Sequence, residues 1–538
     1  MKRYIVQNIK LPIEAGKDVV FANAERRLLT FFGRSQIIRR EIFKKSIDAR
    51  KRDDIKFVWS VIFDVETNRE YDVKKLARNG VVALKEPSAS VKYGSEAMAG
   101  RPVIVGFGPC GMFCALMLAR SGYYPIVIER GGNIEQRTAS VEHFYKTGEL
   151  DENSNIQFGA GGAGTFSDGK LVTRINDEKC ALVIDEMHRH GAPDDILYKA
   201  KPHVGTDYLK KVVTSIEREI TSLGGEIFYN TSFLGFEDKN GKITSVNTSR
   251  GQIKCGALIL ALGHSARDTF SGIINQGVAF EPKAFSVGVR VEHLQKNIDE
   301  SLYGNFAGDP RLPKGEYALS HRCDGGRGVY TFCMCPGGEV VAATSETGGI
   351  VTNGMSNYLR DNINSNSAVC VSVLPDDFGG DIYGAIDFQR KIEQAAYGIS
   401  GSYSAPVMSV GHFLGREKTT SFSDVYPSYM NGNVVKADFR HIFPNFVVDG
   451  IYEGLLDFDR KIRGFASSCA ILTAPETRTS SPVRMTRGET LTAIGFDNLY
   501  PAGEGAGYAG GITSAGVDGI NCALRIMERY KNTGDRDV

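Results

Sequence analysis

The chain has 538 residues, 42% of them hydrophobic, with 64 Lys and Arg against 63 Asp and Glu and a formal net charge of +1. At roughly 100 to 200 residues per domain the length suggests about three domains, each large enough to bury a core, and the composition excludes a disordered chain. The balanced charge argues against a chain devoted as a whole to nucleic acid or to a membrane surface.

Glycine is the outlier, at 61 residues where average usage predicts about 38. Glycine loses the most backbone entropy on folding, so the excess marks tight turns or backbone pressed against a ligand. The start, MKRYIVQNIK, lacks an apolar core segment and a small-residue cleavage site and does not read as a signal peptide. The most apolar run, residues 103–119, is interrupted by Gly106, Gly108, Pro109 and Gly111 and is too short to span a membrane. Ten scattered cysteines read as reduced thiols. The expectation is a cytoplasmic protein with no membrane segment.

In chain order, residues 1–90 read as a small basic α+β module. It has a strand at 4–9, an amphipathic helix at 19–32, a strand rich in Arg and Lys at 36–47, and an alternating strand at 56–65. Residues 1–56 carry a net charge of +8, so a basic face is expected. A linker is predicted over 87–100. From Arg101 the pattern becomes apolar strand, glycine turn, apolar helix and apolar strand, so residues 101–280 read as an α/β unit that closes on a strand at 258–262. Residues 281–455 hold strand-like runs at 285–291, 328–335 and 339–343 between Gly and Pro turns, a β-rich insertion. Residues 456–538 return to helix and a further glycine-dense stretch.

Three glycine clusters carry most of the information. The strand Val103-Ile104-Val105 runs into Gly106-Phe107-Gly108-Pro109-Cys110-Gly111 and a helix, and the next strand ends at Glu129-Arg130, 18 residues past Gly111. This is the context of a dinucleotide fingerprint: Gly106 for the turn, Gly108 for close approach to a pyrophosphate, Gly111 for helix packing, and Glu129 for the adenosine ribose. A carboxylate there disfavours a 2′-phosphate. The second cluster, residues 155–170, includes Gly161-Gly162-Ala163-Gly164-Thr165 and reads as backbone laid on a flat or anionic ligand. The third, residues 499–516, has Gly503-Glu504 followed by Gly511-Ile512-Thr513 at a helix start, an anion or oxyanion site. Between them the strand Leu258–Leu262 ends at Gly263.

The series GFGPCG, ERG, LILALGHSA and LYPAGEGAGYAGGITSAGVDG is similar to the FAD-binding architecture of glutathione-reductase-like flavoproteins. More closely, NIQFGAGGAGTFSDGKL, KAFSVGVRVEH, GVYTFCMCPGGEVV and APETRTSSPVRM resemble the FAD-dependent dehydrogenases labelled NAD(FAD)-utilising dehydrogenases, and SIDARK at 46–51 resembles that family's opening domain. The resemblance implies a Rossmann-like, discontinuous FAD-binding domain (101–280 and 456–538), an inserted β-rich substrate or cap domain (281–455) and a small ferredoxin-like α+β domain (1–90). It further implies FAD on Gly106, Gly108 and Gly111 at the pyrophosphate and Glu129 at the ribose. Glu504 stands where the broader class has an aspartate on the ribitol, and Gly511, Ile512 and Thr513 offer N–H groups to the flavin pyrimidine edge.

With one dinucleotide fingerprint visible, NADH or NADPH is expected only as a transient reductant, if another does not serve. Cys333 and Cys335, one residue apart in a predicted strand, share a face and are candidates for a redox pair; the alternative is two small buried residues. His203 and His264 are candidate proton donors, or structural histidines. Arg478 and Arg484 could clamp a substrate carboxylate or phosphate, or pair with Glu476. No metal-ligand cluster is legible. Flavin-dependent oxidoreduction of an unknown small molecule is the leading expectation. A flavin monooxygenase is one alternative; another is a flavoprotein that binds RNA or protein through its basic module, by way of Arg34, Arg39, Arg40, Lys44, Lys45, Arg50, Lys51 and Arg52. Oligomeric state is not legible.

Overall fold

In the computed structural model, which describes residues 1–68, 70–84 and 93–532, the chain forms two compact units. The first comprises the N-terminal module with residues 193–202 and 296–315, the latter carrying most of helix α8 (Gln295–Tyr303). Its elements are Lys2–Pro12 (β1), Lys17–Leu28 (α1), Ile37–Asp48 (β2), Lys56–Val65 (β3), Val73–Arg78 (α2) and Val81–Leu84 (β4). The sheet order is β2-β3-β1-β4 with antiparallel neighbours, a split β-α-β arrangement. Alternation in β3 buries Phe57, Trp59, Val61 and Phe63 against Val20, Ala24 and Leu28 of α1.

The basic strand predicted over 36–47 is β2, the outer strand of this sheet, whose Lys45 backbone bonds residues 198 and 200. Its cations have partners close by. Arg40 reaches Glu25 at 3.0 Å, Arg50 grips Asp48 through two bonds of 2.7 and 2.6 Å, Arg39 pairs with Glu41, and Lys45 lies 3.8 Å from the Phe57 ring centroid.

The second unit holds residues 91–192, 203–295 and 316–538. Of the predicted linker, residues 87–92 lie outside the described residues. The stretch after them does not behave as a spacer, since Gly94 N–H donates to Met527 O at 2.8 Å and Arg529 bonds Glu96 at 2.9 Å. The α/β part runs Pro102–Val105 (β5), Pro109–Arg120 (α3), Ile126–Ile128 (β6), Ile134–Thr147 (α4), Lys179–Arg189 (α5), Thr206–Ser222 (α6) and Glu226–Phe228 (β7). An antiparallel trio follows, Phe233–Lys239 (β8), Lys242–Thr248 (β9) and Gly251–Lys254 (β10), then Ala257–Leu260 (β11) and Arg267–Asn275 (α7).

Strands β5, β6, β7, β11 and Leu499–Pro501 (β23) form a parallel sheet in the order β23-β11-β5-β6-β7. Numbered along the chain that is 3-2-1-4-5, so the order reverses between β5 and β11, and a ligand crevice is expected beyond their carboxyl ends. All four residues of β5 and of β11 are buried, as strands covered on both faces require. Helix Ile512–Arg529 (α12) packs on α3.

The β-rich part contains Phe280–Pro282 (β12), Phe285–Leu294 (β13), Ser320–Arg322 (β14), Gly328–Cys335 (β15), Glu339–Ala342 (β16), Thr352–Met355 (β17), Asn364–Val373 (β18), Ile382–Ser400 (α9), Ala405–Ser409 (β19), Val410–Phe413 (α10), Val434–Lys436 (β20), Asn445–Lys461 (α11), Ile471–Glu476 (β21) and Val483–Met485 (β22). Seven strands form one sheet in the order β14-β15-β18-β13-β21-β19-β20. Strand β21 lies beyond the boundary expected at 455, so the β-rich part extends further along the chain than its Gly and Pro punctuation indicates. Central β13 is buried along Phe285–His293, Arg290 and Glu292 included.

Candidate functional site

The first glycine loop leaves β5 and enters α3. Gly106 has φ +101°, and a Cβ there would sit 2.3 Å from Ala261 O, while one at Gly111 would sit 1.9 Å from Gly106 O. Only glycine meets both demands, so the turn and the helix close tightly on the strand ends. Helix α3 begins at Gly108 with Pro109 in its first turn and has no side-chain cap, which leaves its positive end to an anion. Cys110 packs against the third glycine cluster: an added Cβ on Gly503 would lie 2.8 Å from its Cβ, and burial pushes its thiol up.

Glu129, buried at the end of β6, accepts N–H bonds from Phe107 (2.8 Å), Gly131 (3.0 Å) and Gly159 (3.0 Å). An ionised carboxylate offers about four acceptor positions. Glu129 therefore works first as a strut between the loops, with capacity remaining for a ribose hydroxyl. Arg130 is committed to Asp268 and Thr269 and lies over Phe158.

The second cluster lies across the first. Gly161 N–H donates to Phe107 O at 2.8 Å, and an added Cβ on Gly162 would reach 2.9 Å from Gly108 Cα. Residues Ala163–Phe166, with Gly164 and Thr165, make one short helical turn. The loop is held from below by Arg137, fully buried, whose guanidinium donates to the carbonyls of Asn155, Ile156, Gly159, Ala160 and Gly162. Burial lowers Arg137 to about 9. Sequence reading missed this residue, because nothing marks an arginine 18 to 25 positions before its partners.

The third cluster meets the second at the start of α12. Thr513 Oγ1 donates to Leu171 O at 2.7 Å, and a Cβ on Gly164 would stand 3.2 Å from the Ile512 side chain. Gly511 N–H, expected at the flavin, lies near the Glu504 carboxylate and partly offsets the effect of burial on it. Burial pushes that carboxyl up to about 7. His264 Nδ1 is 3.9 Å from Glu504 Oε1, and burial with Arg478 and Arg267 holds it down at about 3. The imidazole is thereby held neutral at neutral pH, which weighs against the proton-donor reading and toward the structural one. Asp518 was also missed: it accepts Gly503 N–H at 2.7 Å and is gripped at both oxygens by Arg487.

These residues fit FAD. Added Cβ atoms at Gly263, Gly510 and Gly511 meet nothing within 4 Å, so the glycines line open space. Glu504 is a half-buried carboxyl short of donors, and ribitol hydroxyls are donors of the kind it lacks.

Other candidates settle differently. His203 Nε2 is 2.9 Å from Tyr358 O with the two rings stacked, a structural position. Arg478 is buried on Glu393 (3.0 and 3.2 Å) and Ser345, and Arg267 clamps Glu393 and Glu346 beside it, so Arg478 pairs with Glu393 and not with a substrate anion or Glu476. Arg484 pairs with Glu281 at 3.1 Å near the surface. Glu476 instead takes Arg290, through bonds of 2.9 and 3.2 Å.

Cys333 and Cys335 do not sit in a regular strand. The register of β15 slips between Phe332 and Cys335, and Cys333 has φ +46°. Nearby, Asp168 is clamped by Arg360 (2.9 and 2.6 Å) and Lys170 (2.9 Å). His321, Cys323 and Glu453 bring ligand-type atoms within 4.8 Å of one another, a cluster the sequence hid because α11 lies some 130 residues from β14.

Residues 284–479 match the family described as FAD-dependent protein, C-terminal domain-like. With the three glycine loops above, that match points to the class of FAD-dependent flavoproteins. The chain belongs to the family of an uncharacterized protein of Clostridium beijerinckii, 45% identical over 530 residues that cover 98% of each chain. A stretch of 124 residues is 28% identical to the sarcosine oxidase subunit beta of Rhodobacter capsulatus, covering 22% of this chain and 29% of that one. Among solved structures, glycine oxidase from Bacillus cereus is 12% identical, with a TM-score of 0.31 over 82% of this chain and 100% of that one. None of the helices among the described residues is long and apolar enough to cross a membrane.

Proposed function

We propose that this chain is an FAD-dependent oxidoreductase that passes an electron pair between bound FAD and a small-molecule substrate. The observation that carries the reading is the convergence, at the reversal point of the parallel sheet, of three glycine loops, an uncapped helix start and two carboxylates. The α3 start, with Gly108, would hold the pyrophosphate, Glu129 the adenosine ribose, Glu504 the ribitol, and the Ile512 and Thr513 amides the flavin's pyrimidine edge. FAD supplies the electron chemistry; the chain binds, orients and polarises.

Glu504, whose carboxyl burial pushes up to about 7, can hold or release a proton beside that cofactor. Substrate would enter where the 161–170 loop adjoins β15. The finer reading is a two-motif, glutathione-reductase-like FAD domain interrupted by the β-rich part, with NADH, NADPH or another donor acting transiently, in the cytoplasm. Purified protein is expected to be yellow and to release FAD on denaturation. A colourless preparation that FAD does not reconstitute overturns the reading.

A further inference from the structure

Cys333 is a non-glycine residue in the left-handed region, within a bulge of β15. Such a conformation is strained and persists where neighbours over-determine it; bulges of this kind re-aim side chains next to active sites. Here Arg290 Nη1 donates to Cys333 O at 2.9 Å, Lys170 Nζ donates to Met334 O, and Cys335 Sγ donates to Cys333 O at 3.3 Å. The bulge also places the two thiols near enough for each to act on the other's protonation.

Charge singles out Cys333. Its neighbour Cys335, then Lys170 and Arg290, hold the Cys333 thiol below the ordinary range, whereas Cys333 and burial push Cys335 well above it and burial pushes Cys110, Cys114, Cys255, Cys370 and Cys522 up as well.

The pair is tied to the cofactor crevice by continuous contacts. Lys170 closes the second glycine cluster, the next residue, Leu171, accepts from Thr513 at the start of α12, and Cys333 lies near enough to Glu504 that a thiolate there would raise its carboxyl.

We propose that Cys333 and Cys335 form a dithiol–disulfide couple that exchanges an electron pair with the flavin. Two S–H bonds break and one S–S bond forms; the thiols give up two electrons and one proton to oxidised flavin and a second proton to solvent. The reverse step regenerates the dithiol. Lys170 and Arg290 stabilise the Cys333 thiolate that initiates exchange and are positioning residues.

The proposal rests on the FAD reading, and an anaerobic dithionite titration of the holoenzyme separates the two. Wild-type protein is expected to take up about four electrons per FAD, and the C333S and C335S variants about two, since a disulfide is a two-electron couple. Alkylation under denaturing conditions followed by mass measurement should label all ten thiols of the reduced protein and leave Cys333 and Cys335 unlabelled in the oxidised one. A yellow wild-type protein that takes up about two electrons, with all ten thiols labelled when oxidised, overturns the couple and leaves the FAD reading standing. A protein that cannot be loaded with FAD sinks both.

Discussion

Where the first two glycine loops cross, two buried charges are met by backbone. Glu129 collects three N–H groups and Arg137 five carbonyls. Around Arg290 and α9, buried charge is met by opposite charge: Arg290 on Glu476, Arg267 and Arg478 on Glu393. The first arrangement spends side chains on holding loops and leaves peptide groups for a ligand with its own polar atoms. The second satisfies its ions internally and fixes the geometry of whatever lies next to it, including the β15 bulge. A cofactor cradle and a rigid wall need different polar chemistry, and one unit contains both.

The wall should be the more fragile under single substitution. Arg290→Met leaves Glu476 buried without its cation, and urea unfolding should show a loss of about 3–5 kcal/mol, with Arg290→Met/Glu476→Leu recovering much of it. In the cradle, Gly106→Ala forces a side chain onto φ +101° and against Ala261 O. More than about 1 kcal/mol should go, with FAD retention lost alongside.

Glu504→Gln tests the boundary between the two regimes. The Glu504 carboxyl is raised from its ordinary 4.5 to about 7, so the folded state binds that proton more tightly than the unfolded state. Stability from this group is complete below about 4.5, falls as pH rises toward 7 and stays lost above it. The FAD-free variant should therefore melt higher than wild type at pH 8 and equally at pH 4; equal melting at pH 8 breaks the assignment. On the N-terminal edge strand, Arg40→Ala should cost under about 1 kcal/mol. Smallest in stability is Gly510→Ala, whose added Cβ meets no atom within 4 Å. A change within about 0.5 kcal/mol, joined to weaker FAD binding by equilibrium titration, marks Gly510 as facing the ligand.

The cradle was legible because its demands are local. Gly106, Gly108 and Gly111 must stand at fixed spacing between a strand and a helix, and that order survives in one dimension. The same holds for the alternation of β3 and the continuous apolar runs of β5 and β11. The wall was not legible, because its partners are paired by sheet register: Arg290 meets Glu476 across 186 residues, and Arg478 meets Glu393 across 85. Hence Arg478 could be taken for a substrate clamp. The Cys333 bulge escaped for a similar reason, since Gly328–Cys335 reads as an unbroken strand and only contacts from Arg290 and Lys170 reveal the irregularity.

Arg137 has a directional effect as well as a bonding one. In a trans peptide the carbonyl of one residue and the N–H of the next point in opposite senses. Each carbonyl drawn toward the guanidinium therefore turns the following N–H away from it. For Ala160 and Gly161 those outward N–H groups land on Gly132 O and Phe107 O, stitching the second loop to the first. The Gly162 carbonyl likewise turns the Ala163 N–H outward. A cation with no exposed surface is thus transmitted by aligned dipoles to the opposite side of the loop, a fixed positive polarity that no mobile side chain has to supply and that salt screens weakly.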